Sequence, residues 1–206
     1  MHALRRLDRE GREVVFVANQ NTNAAARTLS LVVPGATGAP EIWDVMRGEI
    51  CSVPWRQAAD GVAFELTLEP CESALVRFGG TAKRASRLTP GQRPVATLPV
   101  AADASAAPES YPVPEKGQKS PCAGVAFQGE VTVAEGAVKP GQRAYLACEM
   151  AAGTAEDAAA VRVNGAYAGG FIGKPWRVEI TRSLKPGRNT VRVEPYGVER
   201  VRVEVY

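Results

Sequence analysis

VRVNGAYAGGFIGKPWRVEITRSLKPGRNTVRVEPYGVERVRVEVY, residues Val161–Tyr206, decides the fold. Asn164-Gly165 separates AVRV from AYAGGFI, and both residue types accept the positive φ that a type I′ turn demands. The pair therefore predicts a tight hairpin. GKPW reads as a loop, RVEIT as a strand and SLKPGRN as a turn. TVRVEPY and RVRVEVY alternate with period two. Val191 and Val193 face one way, as do Val201, Val203 and Val205, while Arg and Glu occupy the opposite faces. Such a pattern predicts strands with one buried and one wet side.

Working outward, VAFQGEVTV and RAYLACEM flank a turn at Val138-Lys139-Pro140-Gly141, and GTAEDAAA reads as a loop. Residues 122–206 thus hold seven or eight strands, enough for a β-sandwich. The N-terminal part has the same character. REVVFV ends in a polar turn, TLSLVV stops at Pro34-Gly35, and a short strand surrounds Ile42-Trp43. In VAFELTL, Val62, Phe64, Leu66 and Leu68 share a face, and in ESALVRFGG Ala74 and Val76 oppose Leu75. Residues 1–80 carry six such strands and no 3.6-residue period, which predicts a first β-sandwich. Trp43, bracketed by Ile42 and Val45, reads as core, and Trp55, after Pro54, as an exposed loop residue. Residues 81–121 contain seven prolines and few large apolar side chains, so they read as a linker in which VATLPV is one strand available to either sandwich.

Composition narrows the function classes. The chain has 206 residues, with 25 basic and 22 acidic side chains interspersed and a formal charge of +3, too small to imply nucleic acid. No apolar stretch reaches membrane-spanning length, and MHALRRLDREG has no apolar signal core. The chain is therefore expected to be cytoplasmic or part of a longer secreted protein. Cysteines stand at 51, 71, 122 and 148 without a CxxC, and the single His2 completes no metal cluster. Buried free thiols are the default. A Cys51–Cys71 bridge is open in an oxidising compartment, and spacing does not decide it.

Three short motifs in order carry a family resemblance. Arg5-Arg6 precedes Val15-Phe16-Val17-Ala18-Asn19. Pro40-Glu41-Ile42-Trp43-Asp44 follows with Arg47-Gly48-Glu49-Ile50, and then comes Leu68-Glu69-Pro70-Cys71-Glu72-Ser73-Ala74-Leu75-Val76-Arg77-Phe78. This block resembles the sandwich that follows the catalytic barrel in alpha-L-rhamnosidase-type glycoside hydrolases. Val161-Arg162-Val163-Asn164-Gly165, Pro175-Trp176, Val178–Thr181, Leu184–Gly187 and Asn189-Thr190 resemble a galactose-binding-like jelly-roll domain. The resemblance implies an all-β chain of two antiparallel sandwiches, the second a jelly roll, forming a C-terminal fragment or remnant of a glycoside hydrolase. It implies a catalytic domain as partner, in cis or in trans, glycan as a further contact, a secreted or periplasmic parent, and no cofactor. A free-standing carbohydrate-binding protein and an intact glycosidase are the alternatives.

Glycoside hydrolysis needs two carboxylates across one bond. Glu41, Asp44, Glu49, Glu179 and Glu194 are the available acids, and none lies in an active-site motif. Glu156 and Asp157 are too few for calcium. A Ser-His-acid or Cys-His arrangement is excluded by a lone histidine at the N-terminal end. Sugar recognition needs an aromatic face and planar polar groups. Trp176 supplies the first, with Arg162, Asn164 and Tyr167 as polar neighbours; alternatively Trp176 plugs the core and Asn164 is a turn residue. Arg5, Arg6 and Asn19 are expected either to line an interdomain seam or to be solvated strand ends.

Overall fold

The structure, a computed structural model, describes residues 2–21, 25–44, 48–80, 85–86, 92–106, 109–110, 123–124, 126–150, 158–194 and 197–206. Every regular element among them is a β-strand, and all but one of the pairings between strands are antiparallel. The chain is all-β and forms two compact units, Met1–Gln92 and Arg93–Tyr206.

The first unit contains β1 (His2–Leu7), β2 (Glu13–Ala18), β3 (Arg27–Pro34), β4 (Pro40–Asp44), β5 (Glu49–Ser52), β6 (Trp55–Ala58), β7 (Gly61–Leu68), β8 (Ser73–Phe78) and β9 (Ala85–Ser86). One sheet runs β1-β2-β8-β4-β5-β9 and the other β3-β7-β6. Val15, Val17, Ile42, Cys51, Ala74, Val76 and Phe78 of the larger sheet share one core with Val33, Val62, Phe64, Leu66 and Leu68 of the smaller. Phe64 and Phe78 meet edge to face, 6.0 Å between centroids. Seven apolar side chains at period two on one sheet need an apolar partner layer, and β7 supplies it.

Register corrects two expectations. Ile42 is core, but Trp43 points to the opposite face because it pairs directly with Leu75 and Ile50, one residue out of phase with the core set. Trp55 is exposed as expected, yet it opens strand β6 opposite Phe64 rather than sitting in a loop. His2 pairs with Ala18 in β1.

The second unit contains β10 (Ala96–Pro99), β11 (Ala101–Ala102), β12 (Glu109–Ser110), β13 (Ala123–Gly124), β14 (Phe127–Val133), β15 (Ala144–Met150), β16 (Ala158–Val163), β17 (Ala166–Ile172), β18 (Arg177–Glu179), β19 (Gly187–Glu194) and β20 (Val198–Val205). Its sheets are β10-β20-β15-β18 and β11-β14-β19-β16-β17, with a separate β12-β13 pair. Val131, Val133, Val161, Val163, Val191 and Val193 pack against Leu146, Val178, Val201, Val203 and Val205. These sheets are sandwich-like too. VATLPV joins this unit: β10 pairs with β20, placing Leu98 opposite Val203. Ala158–Ala160, read as loop from its small residues, instead opens β16, where the alternation buries Ala159.

The outward face of β20 is not uniformly wet. Glu204 is buried opposite the buried Tyr145. Arg202 Nε donates to one of its carboxylate oxygens at 2.7 Å and the Tyr206 hydroxyl to the other at 2.8 Å. Charge-assisted bonds of this kind let a carboxylate leave water. Cys51, Cys71 and Cys148 are free thiols. Burial pushes the Cys148 thiol up to about 12, with Arg202 pulling the other way. Cys122 lies outside the described residues.

Two turns are tested by substitution. Asn189 is fully buried. Its carbonyl accepts from Lys185 N and Asn164 Nδ2 at 3.0 and 2.9 Å, and its amide donates to the Lys185 and Gly187 carbonyls at 2.8 and 3.0 Å. Asn189→Ala strips partners from part-buried turn groups and leaves a void at a fully buried position, and should cost about 1–3 kcal/mol in urea unfolding. In the β7–β8 turn Cys71 holds φ 62°, a left-handed position following Pro70 that favours glycine. Cys71→Gly should raise stability by about 0.5 kcal/mol in the same assay.

Candidate functional site

The glycan residues expected from the sequence separate into three places. Arg162 and Tyr167 are direct cross-strand neighbours on β16 and β17. Tyr167 is 64% exposed. Arg162 also stands opposite Arg192 of β19. Glu194 bridges the two arginines, accepting from Arg192 Nε at 2.9 Å and Arg162 Nε at 3.1 Å. Those bonds, that from Arg192 first, hold the Glu194 carboxyl below its usual range.

Asn164 is a turn residue. Its φ is 53° and that of Gly165 is 81°, the two positive values of a type I′ hairpin. Its side chain bonds Asn189, the Ser183 carbonyl and Thr190 N. Trp176 packs half-buried against the core of the second unit. Its carbonyl accepts from Cys148 N at 2.9 Å, which fixes it beside β15, and Lys174 Nζ lies 4.9 Å from its ring centre.

Of the seam residues, Arg5 and Arg6 are successive on β1 and so face opposite ways. Arg5 makes a two-pronged ion pair with Glu13, at 2.6 and 2.5 Å. Asn19 is buried and donates its amide to the Leu68 and Glu69 carbonyls at 3.3 and 3.0 Å, clamping the β7–β8 turn.

The candidate acids do not converge on an open cleft. Glu41 is fully buried, and a Cβ built on Gly80 would stand 2.0 Å from its carboxylate oxygens. Asp44 and Glu49 are cross-strand neighbours. Glu179 pairs with Arg143 at 3.4 Å and accepts from the Thr181 hydroxyl at 3.0 Å. Glu156 and Asp157 lie outside the described residues, among which no three His, Cys, Asp or Glu side chains group as metal ligands. No helix of the described residues is long and apolar enough to cross a membrane.

Two surfaces of the first unit were not foreseen as sites. The first is an apolar row on the outward face of the larger sheet: Leu4, Phe16, Leu75, Trp43 and Ile50 are paired in succession across β1, β2, β8, β4 and β5. Leu4 is 52% and Phe16 40% exposed. The signal in the sequence was the odd-phase set Phe16, Trp43 and Leu75, visible once strand order is known. The second is a concavity of about 750 Å³ over the smaller sheet, lined by residues that include Ser30, Val32, Trp55, Arg56, Glu65 and Thr67. Register puts Ser30, Val32, Arg56, Glu65 and Thr67 on the face away from the core.

No family model and no curated protein matches the sequence. Among solved structures, a rhamnosidase from Novosphingobium sp. PP1Y is similar at TM-score 0.67 and 19% identity, over 99% of this chain and 24% of that one. BuGH86 in complex with neoagarooctaose (TM-score 0.34, 14% identity, 94% and 31% of the two chains) and an isomalto-dextranase of Arthrobacter globiformis complexed with panose (0.24, 15%, 98% and 35%) are also similar, at levels too low to carry an argument. The chain thus shares its fold with, and spans about a quarter of, the rhamnosidase chain.

Glu194 sets a pH dependence. Its native carboxyl titrates below its unfolded value, so its contribution is present above the unfolded range near 4.3 and fades as pH falls through the native one. Urea titrations should show the gap between wild type and Glu194→Gln, on the order of 0.5–1 kcal/mol at pH 7, shrinking by pH 3.

Proposed function

We propose that this chain is a non-catalytic accessory region of a glycoside hydrolase, its second unit a galactose-binding-like jelly roll, and that its first unit seats a catalytic domain. The apolar row Leu4–Phe16–Leu75–Trp43–Ile50 carries the reading. A sheet in a two-layer sandwich has a core face already, so five large apolar side chains aligned on its other face suit a protein partner. Ion pairs border the row: Arg77 contacts Asp8 at 3.4 Å and its guanidinium covers Trp43, 5.4 Å from the ring centre. An apolar centre within a polar rim is the anatomy of a stable interface. The likeness of the chain to one quarter of a rhamnosidase supports a glycoside hydrolase as the parent. Of the candidate acids, Glu41 is buried and Glu179 and Glu194 are tied to arginine, which supports placing the chemistry in the partner.

The test begins with the flanking DNA, which should encode a barrel-type glycoside hydrolase upstream, fused or adjacent. Co-expressed with that barrel, the chain should co-purify with it. Phe16→Asp should weaken the association by about thirtyfold, the effect of roughly 2 kcal/mol at an interface anchor. Release of nitrophenol from aryl glycosides by the purified chain alone, or undiminished co-purification of Phe16→Asp, would refute the proposal.

A further inference from the structure

Asn164-Gly165 is the sole Asn-Gly pair in the sequence, and it carries a chemistry apart from its place in the turn. A carboxamide followed by glycine is open to attack from its own main chain, because glycine has no Cβ to shield its nitrogen. The Gly165 nitrogen bonds to Cγ of Asn164, and the Cγ–Nδ2 bond breaks. The proton of the Gly165 N–H passes through water to the departing amide, which leaves as ammonia. Water then opens the succinimide ring at either carbonyl, leaving aspartate or isoaspartate at position 164. The net exchange is water for ammonia, and nothing is oxidised or reduced. Solvent reaches the place: both residues are exposed, and a Cβ built on Gly165 would meet no atom within 4 Å.

Hydrogen bonding stands in the way. Attack requires the carboxamide to swing onto the Gly165 nitrogen. Instead Asn164 Nδ2 donates to Asn189 Oδ1 at 2.9 Å and to the Ser183 carbonyl at 3.1 Å, and Oδ1 accepts from Thr190 N at 3.2 Å. The main chain is pinned as well, since Asn164 N donates to the Thr190 carbonyl at 2.9 Å. These partners are themselves anchored. Asn189 is fully buried and bonded to Lys185 and Gly187, Thr190 stands in β19, and Ser183 N donates to the Ile180 carbonyl at 2.9 Å. From this we infer that Asn164 is a latent deamidation site, kept unreacted by the native hairpin through Asn189. Conversion would be one-way in structure as in chemistry. A carboxylate at 164 has no N–H to give, so Asn189 Oδ1 and the Ser183 carbonyl lose their donor and face negative charge. The residue thus records whether the hairpin of β16 and β17 has opened. The site belongs to the second unit, so the inference is independent of the docking role proposed for the first.

The test incubates the full chain in warm, mildly alkaline buffer, folded or in denaturing urea, and follows conversion at position 164 by peptide mass spectrometry. The chain in urea should convert steadily, and the folded chain about tenfold more slowly or better, because bonds must break before attack. Asn189→Ala, with circular dichroism checking that it remains folded, should speed the folded chain about fivefold or more. Val203→Ala loosens the core of the same unit away from the turn and should stay near the wild-type rate. In urea, Gly165→Ala should convert more slowly than wild type, which assigns the attack to the Gly165 nitrogen. Equal wild-type rates folded and in urea overturn the inference, and that comparison needs no variant. So does a folded Asn189→Ala that converts no faster than wild type, or a Val203→Ala that matches its acceleration, which would trace the effect to global unfolding. An unchanged rate for Gly165→Ala in urea also overturns it.

Discussion

A two-layer sandwich grants each sheet one dry face, and everything else about this chain follows from how the second face is used. The dry faces are conventional. Valines from paired sheets meet in each unit, and at about 1.5–3 kcal/mol for each large apolar side chain removed from water they supply the main stabilising term. The second faces differ from one sheet to the next. In the five-stranded sheet the outward side chains neutralise one another through Glu194 and Glu130. In the four-stranded sheet a buried Glu204 sits within bonds from Arg202 and Tyr206. The six-stranded sheet carries an apolar row, and the three-stranded sheet an open polar face that includes the hydrogen-bonded pair Thr28 and Thr67. The apolar row is the surface without an internal solution, and it is where the functional reading rests.

Much of the strand content was legible because alternation is a local property. Val62, Phe64, Leu66 and Leu68 announced the core face of β7, and Asn164-Gly165 announced its hairpin, each within a few residues. Trp43 shows where locality ends. Its neighbours Ile42 and Asp44 say nothing about which side carries the core, and only the pairing of β4 with β8, more than thirty residues away, sends Ile42 inward and Trp43 out. The apolar row was hidden for the same reason, since its members come from five strands that are not consecutive in sequence.

The sugar residues expected from the sequence illustrate the complementary limit. Trp176, Arg162, Asn164 and Tyr167 have suitable chemistry, but suitability is not availability. Asn164 and Arg162 are engaged by Asn189 and Glu194, and Trp176 by the core. Which polar groups are left over depends on every neighbour, a sum that no single stretch contains.

The order β10-β20-β15-β18 carries a consequence for how the second unit forms. Strand β20 lies between β10, which it meets through pairs such as Ala96 with Val205, and β15, so the middle of this sheet joins segments about a hundred residues apart. Closing so long a loop costs entropy before any contact repays it, and topologies of this kind fold in milliseconds to seconds rather than microseconds. While β20 is undocked, the backbone edges of β10 and β15 stay open to any other extended chain nearby. Crowded or dilute conditions during refolding should therefore matter more for yield than the modest size of the unit suggests.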